Sequence, residues 1–326
     1  MIITQTPLRI SFAGGGTDFP GFFVEHGGAV VNSAIDKFVY CIVKPRFDEK
    51  IYVNWTRKEI VESVDKIEHE LVREAMRKVG VTRGIEISFL SDIPAEGSGL
   101  GSSSSVTVGV LNALYHYVGE TPTAEQLARE ACEIEVGILK KPIGYQDQYI
   151  AAYGGLRCFE FGPCETVKTS RVSASPTALE DLDNMLMLFF TGKTRQAATI
   201  LAQQKANLAS QVPLLRQMTQ QAREARRLLE SDDVERLGAI LHRAWESKRK
   251  LASGISDGEL DELYARAVNA GARGGKISGA GGGGFFLLCV PSDKRHAVRH
   301  ALGNLREMPF RLEYGGSRVV LNMQRY

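Results

Sequence analysis

Residues 94–105 read Pro-Ala-Glu-Gly-Ser-Gly-Leu-Gly-Ser-Ser-Ser-Ser, a glycine-rich stretch between two well-patterned flanks. Before it, residues 84–90 (Gly-Ile-Glu-Ile-Ser-Phe-Leu) alternate apolar and polar as a half-buried strand does. After it, residues 106–118 are apolar enough for a buried helix. Gly97, Gly99 and Gly101 remove side chains, so backbone N–H groups can converge on one point. The helix start adds its own free N–H groups and the positive end of its dipole, which together suit a phosphate anion. Ser102 to Ser105 then offer hydroxyls to a phosphate oxygen or a hydrated metal. The competing reading is a flexible Gly/Ser linker, and the ordered flanks argue against it.

The rest of the chain is consistent with a soluble α+β protein. Its 326 residues suffice for about two domains. Lys and Arg number 40 against 38 Asp and Glu, so no general field attracts nucleic acid or anionic membrane, and any bound anion needs local groups. Five cysteines without a C-x-x-C pair argue against a disulfide framework or zinc site. No secretory signal or bilayer-length apolar run is visible, and the expected location is the cytoplasm. A homodimer is compatible with these features. Strands are expected over 2–12, 29–43, 51–55, 185–190, 285–290, 310–314 and 318–323. Helices are expected over 59–79, from Thr123, through 195–252 with a break at Pro213, from a Ser256/Glu259 cap to Gly271, and over 293–305.

Two nucleotide motifs match by letter only. Gly192-Lys193-Thr194 ends like a Walker A loop, but Met187 stands where its first glycine is needed. Gly279-x-Gly281-x-x-Gly284 precedes an apolar strand pattern, not the helix a dinucleotide fingerprint requires. Three further blocks invite a reading. Residues 7–18 run from a strand carrying Arg9 into Gly14-Gly15-Gly16-Thr17-Asp18, where a ligand could approach the backbone and a carboxylate could accept sugar hydroxyls. A simple turn capped by Asp18 fits equally well. Residues 135–155 contain Gly144-Tyr145-Gln146-Asp147-Gln148, in which Asp147 is a reactive carboxylate or a helix cap. Glu135 sits beside an apolar helical stripe, where the residues alone favour a salt bridge over metal ligation. Residues 274–284 carry so many glycines beside a strand that the backbone must come close to another element or a ligand.

In this order and spacing the four blocks resemble the GHMP family of small-molecule kinases. The stretch 94–105 is similar to that family's Pro-x-x-x-Gly-Leu-Gly-Ser-Ser-Ala loop, with Ser104 where alanine is usual, and 279–284 is similar to its Gly-Ala-Gly-Gly-Gly-Gly element. The resemblance covers essentially the whole chain. It implies an α+β two-domain architecture: a ribosomal protein S5 domain 2-like N-terminal domain over 1–182 and a ferredoxin-like C-terminal domain over 183–326. It implies ATP with Mg²⁺, and a small-molecule acceptor whose nearest counterpart in the family is a sugar phosphate. By position, Asp147 and Arg9 match the catalytic pair, and Gly97, Gly99, Leu100, Gly101, Ser102, Ser103 and Ser104 the ATP phosphate loop. Ser103 and Glu135 match the Mg²⁺ ligands, which reverses the salt-bridge reading of Glu135. Gly15, Gly16, Thr17, Asp18, Gly281 and Gly282 match acceptor-binding positions. Galactokinases carry Gly-Glu-His-Thr-Asp where this chain has Gly14 to Asp18, so galactose fits poorly. A phosphorylated acceptor needs a second, local anion site, and Lys193 with Arg195, at a strand-to-helix passage, are either that site or solvated surface charges. A sensor without chemistry is the rival within the fold; the joint presence of Asp147, Arg9, Ser103 and Glu135 argues against it.

Overall fold

The computed structural model describes residues 1–93, 98–193 and 197–323. The chain runs β1 (Ile2–Ala13), α1 (Pro20–His26), β2 (Gly28–Pro45), β3 (Ile51–Asn54), β4 (Lys58–Val61), α2 (Glu70–Val79), β5 (Ile85–Ser91) and α3 (Ser102–Tyr117). It continues through α4 (Ala124–Cys132), α5 (Gln146–Tyr153), β6 (Leu156–Phe161), β7 (Val167–Arg171), α6 (Pro176–Met185) and β8 (Leu186–Phe190). The remainder is α7 (Ala197–Asn207), α8 (Val212–Glu230), α9 (Leu237–Lys248), α10 (Gly258–Asn269), β9 (Gly274–Ile277), β10 (Phe285–Cys289), α11 (Arg295–Ala301), β11 (Arg306–Glu307) and β12 (Arg318–Asn322).

One sheet is built on the long hairpin of β1 and β2, with main order β12-β1-β2-β5-β3-β4 and with β6 and β7 on the other half of β2. The pairing shifts between Pro7 and Leu8, so a bulge falls where proline, which has no N–H to give a ladder, is tolerated. Just beyond it, Arg9 lies opposite Ala34. A second, antiparallel sheet has the order β11-β8-β10-β9. β10 therefore follows the glycine run, in the place where a dinucleotide fingerprint would need a helix.

α3 is buried along most of its length, as the small and apolar residues of 105–115 allow, and packs on β1 and β2. Thr6 Oγ1 would lie 2.8 Å from a Cβ at Gly109, so α3 can approach the sheet this closely only with glycine there. This contact fixes the start of α3, and with it the phosphate loop, relative to Arg9.

Several expectations are corrected. Residues 59–79 are not one helix: 58–61 pair with β3, and the helix starts at Glu70. The cause is Glu59, buried, whose carboxylate accepts from Trp55 Nε1 and from the backbone N–H groups of Glu68 and His69. The cap of α10 is Asp257, which accepts from Leu260 N at 2.9 Å; Ser256 instead donates to Asp261. Residues 310–314 form a single bridge, Ile35 to Leu312, in place of a strand. α6 runs across 182/183, and β12 returns to pair with β1 in the first sheet. Among the described residues no helix is long and apolar enough to cross a membrane.

Candidate active site

Arg9 is the centre of the site. Its backbone N–H donates to Leu100 O at 2.9 Å, tying β1 to the loop before α3. Its guanidinium is almost fully buried and makes three bonds: Nε to Asp147 Oδ1 and Nη2 to Asp147 Oδ2, both 2.7 Å, and Nη1 to Gly99 O, 2.6 Å. A planar fork meeting a carboxylate on two bonds fixes the orientation of both groups. Asp147 stands in the first turn of α5, where the helix dipole favours a negative charge.

Two clefts meet at this pair. One is lined by Gly99, Gly101 and Ser102 to Ser104 together with Lys141, and by Ser278 to Gly281 and Gly283 opposite. Gly99 and Gly279 touch: a Cβ on Gly279 would lie 2.4 Å from Gly99 Cα, and both residues have positive φ. The two glycine-rich blocks singled out in the sequence thus pack on each other, and side chains would part them. No side chain caps α3, so its first turn opens to this cleft. Leu100 contributes its backbone, since its side chain is buried in the core. Gly97 lies outside the described residues.

Ser103 and Glu135 come together here, with Ser103 Oγ donating to Glu135 Oε2 at 3.1 Å. Glu135 sits in a π-helical segment, Glu133–Ile138, that continues α4, and its side chain is fully buried. Burial raises its pKa, while the charge of Lys141 and the hydroxyls of Ser104, Thr107 and Ser103 pull it down. Among the described residues it makes no ion pair, so the salt-bridge reading finds no support. A buried carboxylate beside a hydroxyl, both hard oxygen donors, fits a divalent cation such as Mg²⁺.

The second cleft is lined by Ser11, Gly15, Gly16, Asp18, Gln146, Lys248 and Lys276 besides Arg9 and Asp147. Asp18 is a cap, but of a remote helix. Its carboxylate accepts from Gly16 N at 2.9 Å and from Gln146 N at 3.1 Å, so it holds the start of α5, the helix that carries Asp147. A Cβ on Gly144 would lie 2.1 Å from Asp18 Oδ2, which is why glycine precedes this helix. Burial raises the pKa of Asp18 against the hydrogen bonds that lower it. Thr17 does not reach the cleft. Its hydroxyl is bound to Gly14 O and Ala29 O, so it braces the turn. Gly281 lines the phosphate-loop cleft, and Gly282 N donates to Ile255 O, so neither faces this second cleft.

Lys193, read as half of an anion site, is neutralised: it pairs with Asp257 at 3.0 Å and Glu259 at 2.6 Å. Arg195 lies outside the described residues. Sequence reasoning also missed residues. Ser11 Oγ and Gln146 Oε1 are buried without a hydrogen-bond partner among the described residues. Lys248, whose Nζ donates to Gly279 O, and Lys276 are 5% and 3% exposed. Burial, followed by the charge of Arg9, pushes the Lys248 pKa down to about 8. Burial, followed by Lys248 and Arg9, takes Lys276 well below the ordinary lysine value. A lysine with a lowered folded-state pKa binds its proton more weakly than in the unfolded chain. Stability must therefore rise with pH from about 8 toward the ordinary value of roughly 10.4. Melting temperatures measured across that window are expected to climb more steeply for the wild type than for Lys248→Met; parallel curves would contradict this electrostatic assignment.

Residues 64–155 match the GHMP kinases N terminal domain and residues 225–306 the GHMP kinases C terminal domain. The chain belongs to the GHMP kinase family, with that family's two-domain fold. It is 31% identical to the D-glycero-alpha-D-manno-heptose 7-phosphate kinase of Campylobacter jejuni subsp. jejuni serotype O:2, over 96% of this chain and 97% of that protein. The crystal structure of a D-glycero-D-manno-heptose 1-phosphate kinase from Bacteroides thetaiotaomicron superposes with a TM-score of 0.83 at 25% identity, covering 99% of this chain and all of the other. The L-fucokinase/L-fucose-1-P guanylyltransferase of Bacteroides fragilis is 26% identical over 90% of this chain, which spans 35% of that longer protein.

Proposed function

We propose that this protein is a sugar kinase that transfers the γ-phosphoryl group of ATP to the anomeric C1 hydroxyl of D-glycero-D-manno-heptose 7-phosphate, giving the 1,7-bisphosphate. The observation that carries the reading is the meeting of two clefts at one Arg–Asp pair, with a glycine-rich loop in the first and polar groups in the second. Similarity along nearly the whole chain to a heptose 7-phosphate kinase supports the choice of acceptor.

Phosphoryl transfer through a loose transition state asks mainly for positioning and charge neutralisation. The N–H groups from Gly99 to Ser103 hold the nucleotide's phosphates against the start of α3. Ser103 and Glu135 are the residues that would hold Mg²⁺, which when bound neutralises phosphate oxygens. Asp147 uses its remaining lone pairs to orient the C1 hydroxyl in line and accepts its proton at a carboxylate oxygen. Arg9 keeps that carboxylate in place and offsets negative charge developing on the transferred group. Asp18, Ser11 and Gln146 are the groups proposed to meet sugar hydroxyls, and Gly15 and Gly16 leave room for the ring.

An L-fucose kinase is the second reading, favoured by the similarity to fucokinases. Heptose 7-phosphate, L-fucose and free mannose, each offered with MgATP and followed by ³¹P NMR, separate the two. Fast turnover of the heptose phosphate with a new anomeric phosphate signal is expected. Turnover of fucose with none of the heptose phosphate would replace the first reading with the second.

A further inference from the structure

The second cleft holds three basic side chains against two carboxylates. Arg9, Lys248 and Lys276 line it with Asp18 and Asp147, and Asp147 is taken up by Arg9. Beyond the pairing of its backbone strand with β10, the side chain of Lys276 makes no hydrogen bond or ion pair among the described residues, and Lys248 forms no ion pair among them. Lysines this deeply buried are rarely left unpaired, because an uncompensated buried charge is costly.

The fold holds both lysines in place. Gly274 packs so closely on α9 that a Cβ would lie 2.0 Å from Gly238 O. Lys276, two residues further on, leaves the same face of β9, and Lys248 ends α9. Neither lysine lines the phosphate-loop cleft, whose own lysine, Lys141, is paired with Glu70. We propose that Lys276 and Lys248 seat a second phosphate, the phosphate monoester borne by the acceptor sugar, on the acceptor side of the Arg9–Asp147 pair. The inference rests on the function proposed above and makes the acceptor's charge its selected feature. Burial and mutual repulsion depress both lysines, and a dianion seated between them would raise their affinity for protons again.

Calorimetry without nucleotide tests this on the intact protein, with D-glycero-D-manno-heptose 7-phosphate, the same heptose without phosphate, and inorganic phosphate as probes. The 7-phosphate is expected to bind at least roughly 30-fold tighter than the free heptose, with proton uptake near pH 8.5 that the free heptose does not cause. Lys276→Met should erase that difference and the proton uptake, and Lys276→Arg should restore part of the difference. Lys276→Met should also melt no lower than wild type, since it removes an unpaired buried charge, and this separates lost binding from lost folding. Equal affinity for the two heptoses in the wild type would overturn the proposal, as would a Lys276→Met effect on the KM for ATP in place of the sugar phosphate. If neither heptose binds, the proposed substrate fails by itself. Inorganic phosphate then decides the lysine seat: binding abolished in Lys276→Met supports it, and no binding to the wild type overturns it.

Discussion

Asp147→Ala is expected to lower kcat by at least roughly 10²–10⁴-fold, the range that a positioned base contributes, while MgATP binds as before. The expectation follows from where the carboxylate stands. It is the acidic side chain fixed by both prongs of Arg9, and it lies at the edge shared by the phosphate-loop cleft and the acceptor cleft. The nucleotide's grip comes from the loop and from α3, so it survives the change. Removal leaves the Arg9 guanidinium buried without its counter-charge, which costs stability by about 3–5 kcal/mol. Asp147→Asn, which keeps an acceptor for Arg9, separates the chemical loss from that destabilisation. Steady-state kinetics beside nucleotide titration would check this, and near-wild-type turnover in a folded Asp147→Asn protein would remove the carboxylate from the reaction.

Arg9→Met is expected to be at least as damaging, roughly 10³-fold in kcat, because an arginine at a transferring phosphoryl group is worth that much or more. It should also raise the KM for ATP, which Asp147→Ala should not, because Arg9 Nη1 holds Gly99 O and with it the phosphate loop. Arg9→Lys should recover little. A single ammonium cannot make two bonds to Asp147 and a third to Gly99 in the geometry of a planar fork. Kinetics of the two variants decide the matter, and a lysine that restores turnover to within a few-fold would show that only charge matters.

What could be read from the residues was what glycine and local pattern report. The contact between Gly99 and Gly279 is the structural content of two glycine-rich blocks far apart in the chain, and their composition was legible because side chains there would collide. The body of α3, the α4 cap at Thr123 and the strands β8 and β10 followed from patterning in the same way. Partnerships across the chain were not legible. Lys193 looked free because Asp257 and Glu259 lie far away in sequence. The periodicity of Ile60, Val64 and Ile67 fits a helix, yet the buried carboxylate of Glu59 draws Trp55 and the start of α2 around itself and leaves 58–61 as a strand. Lys248 gave no signal, since a lysine in the last turn of a helix is ordinary. Lys276 did give one: a lone charge within a buried, glycine-lined strand.

A crystal structure of Asp147→Asn with MgATP and heptose 7-phosphate tests the central claim most directly. It should show the nucleotide's phosphates on the Gly99–Ser103 loop, the sugar in the cleft of Asp18 and Lys276, and the C1 hydroxyl within hydrogen-bonding reach of residue 147 and facing the γ-phosphorus. A sugar bound outside that cleft, or a γ-phosphate directed away from Arg9, would contradict it.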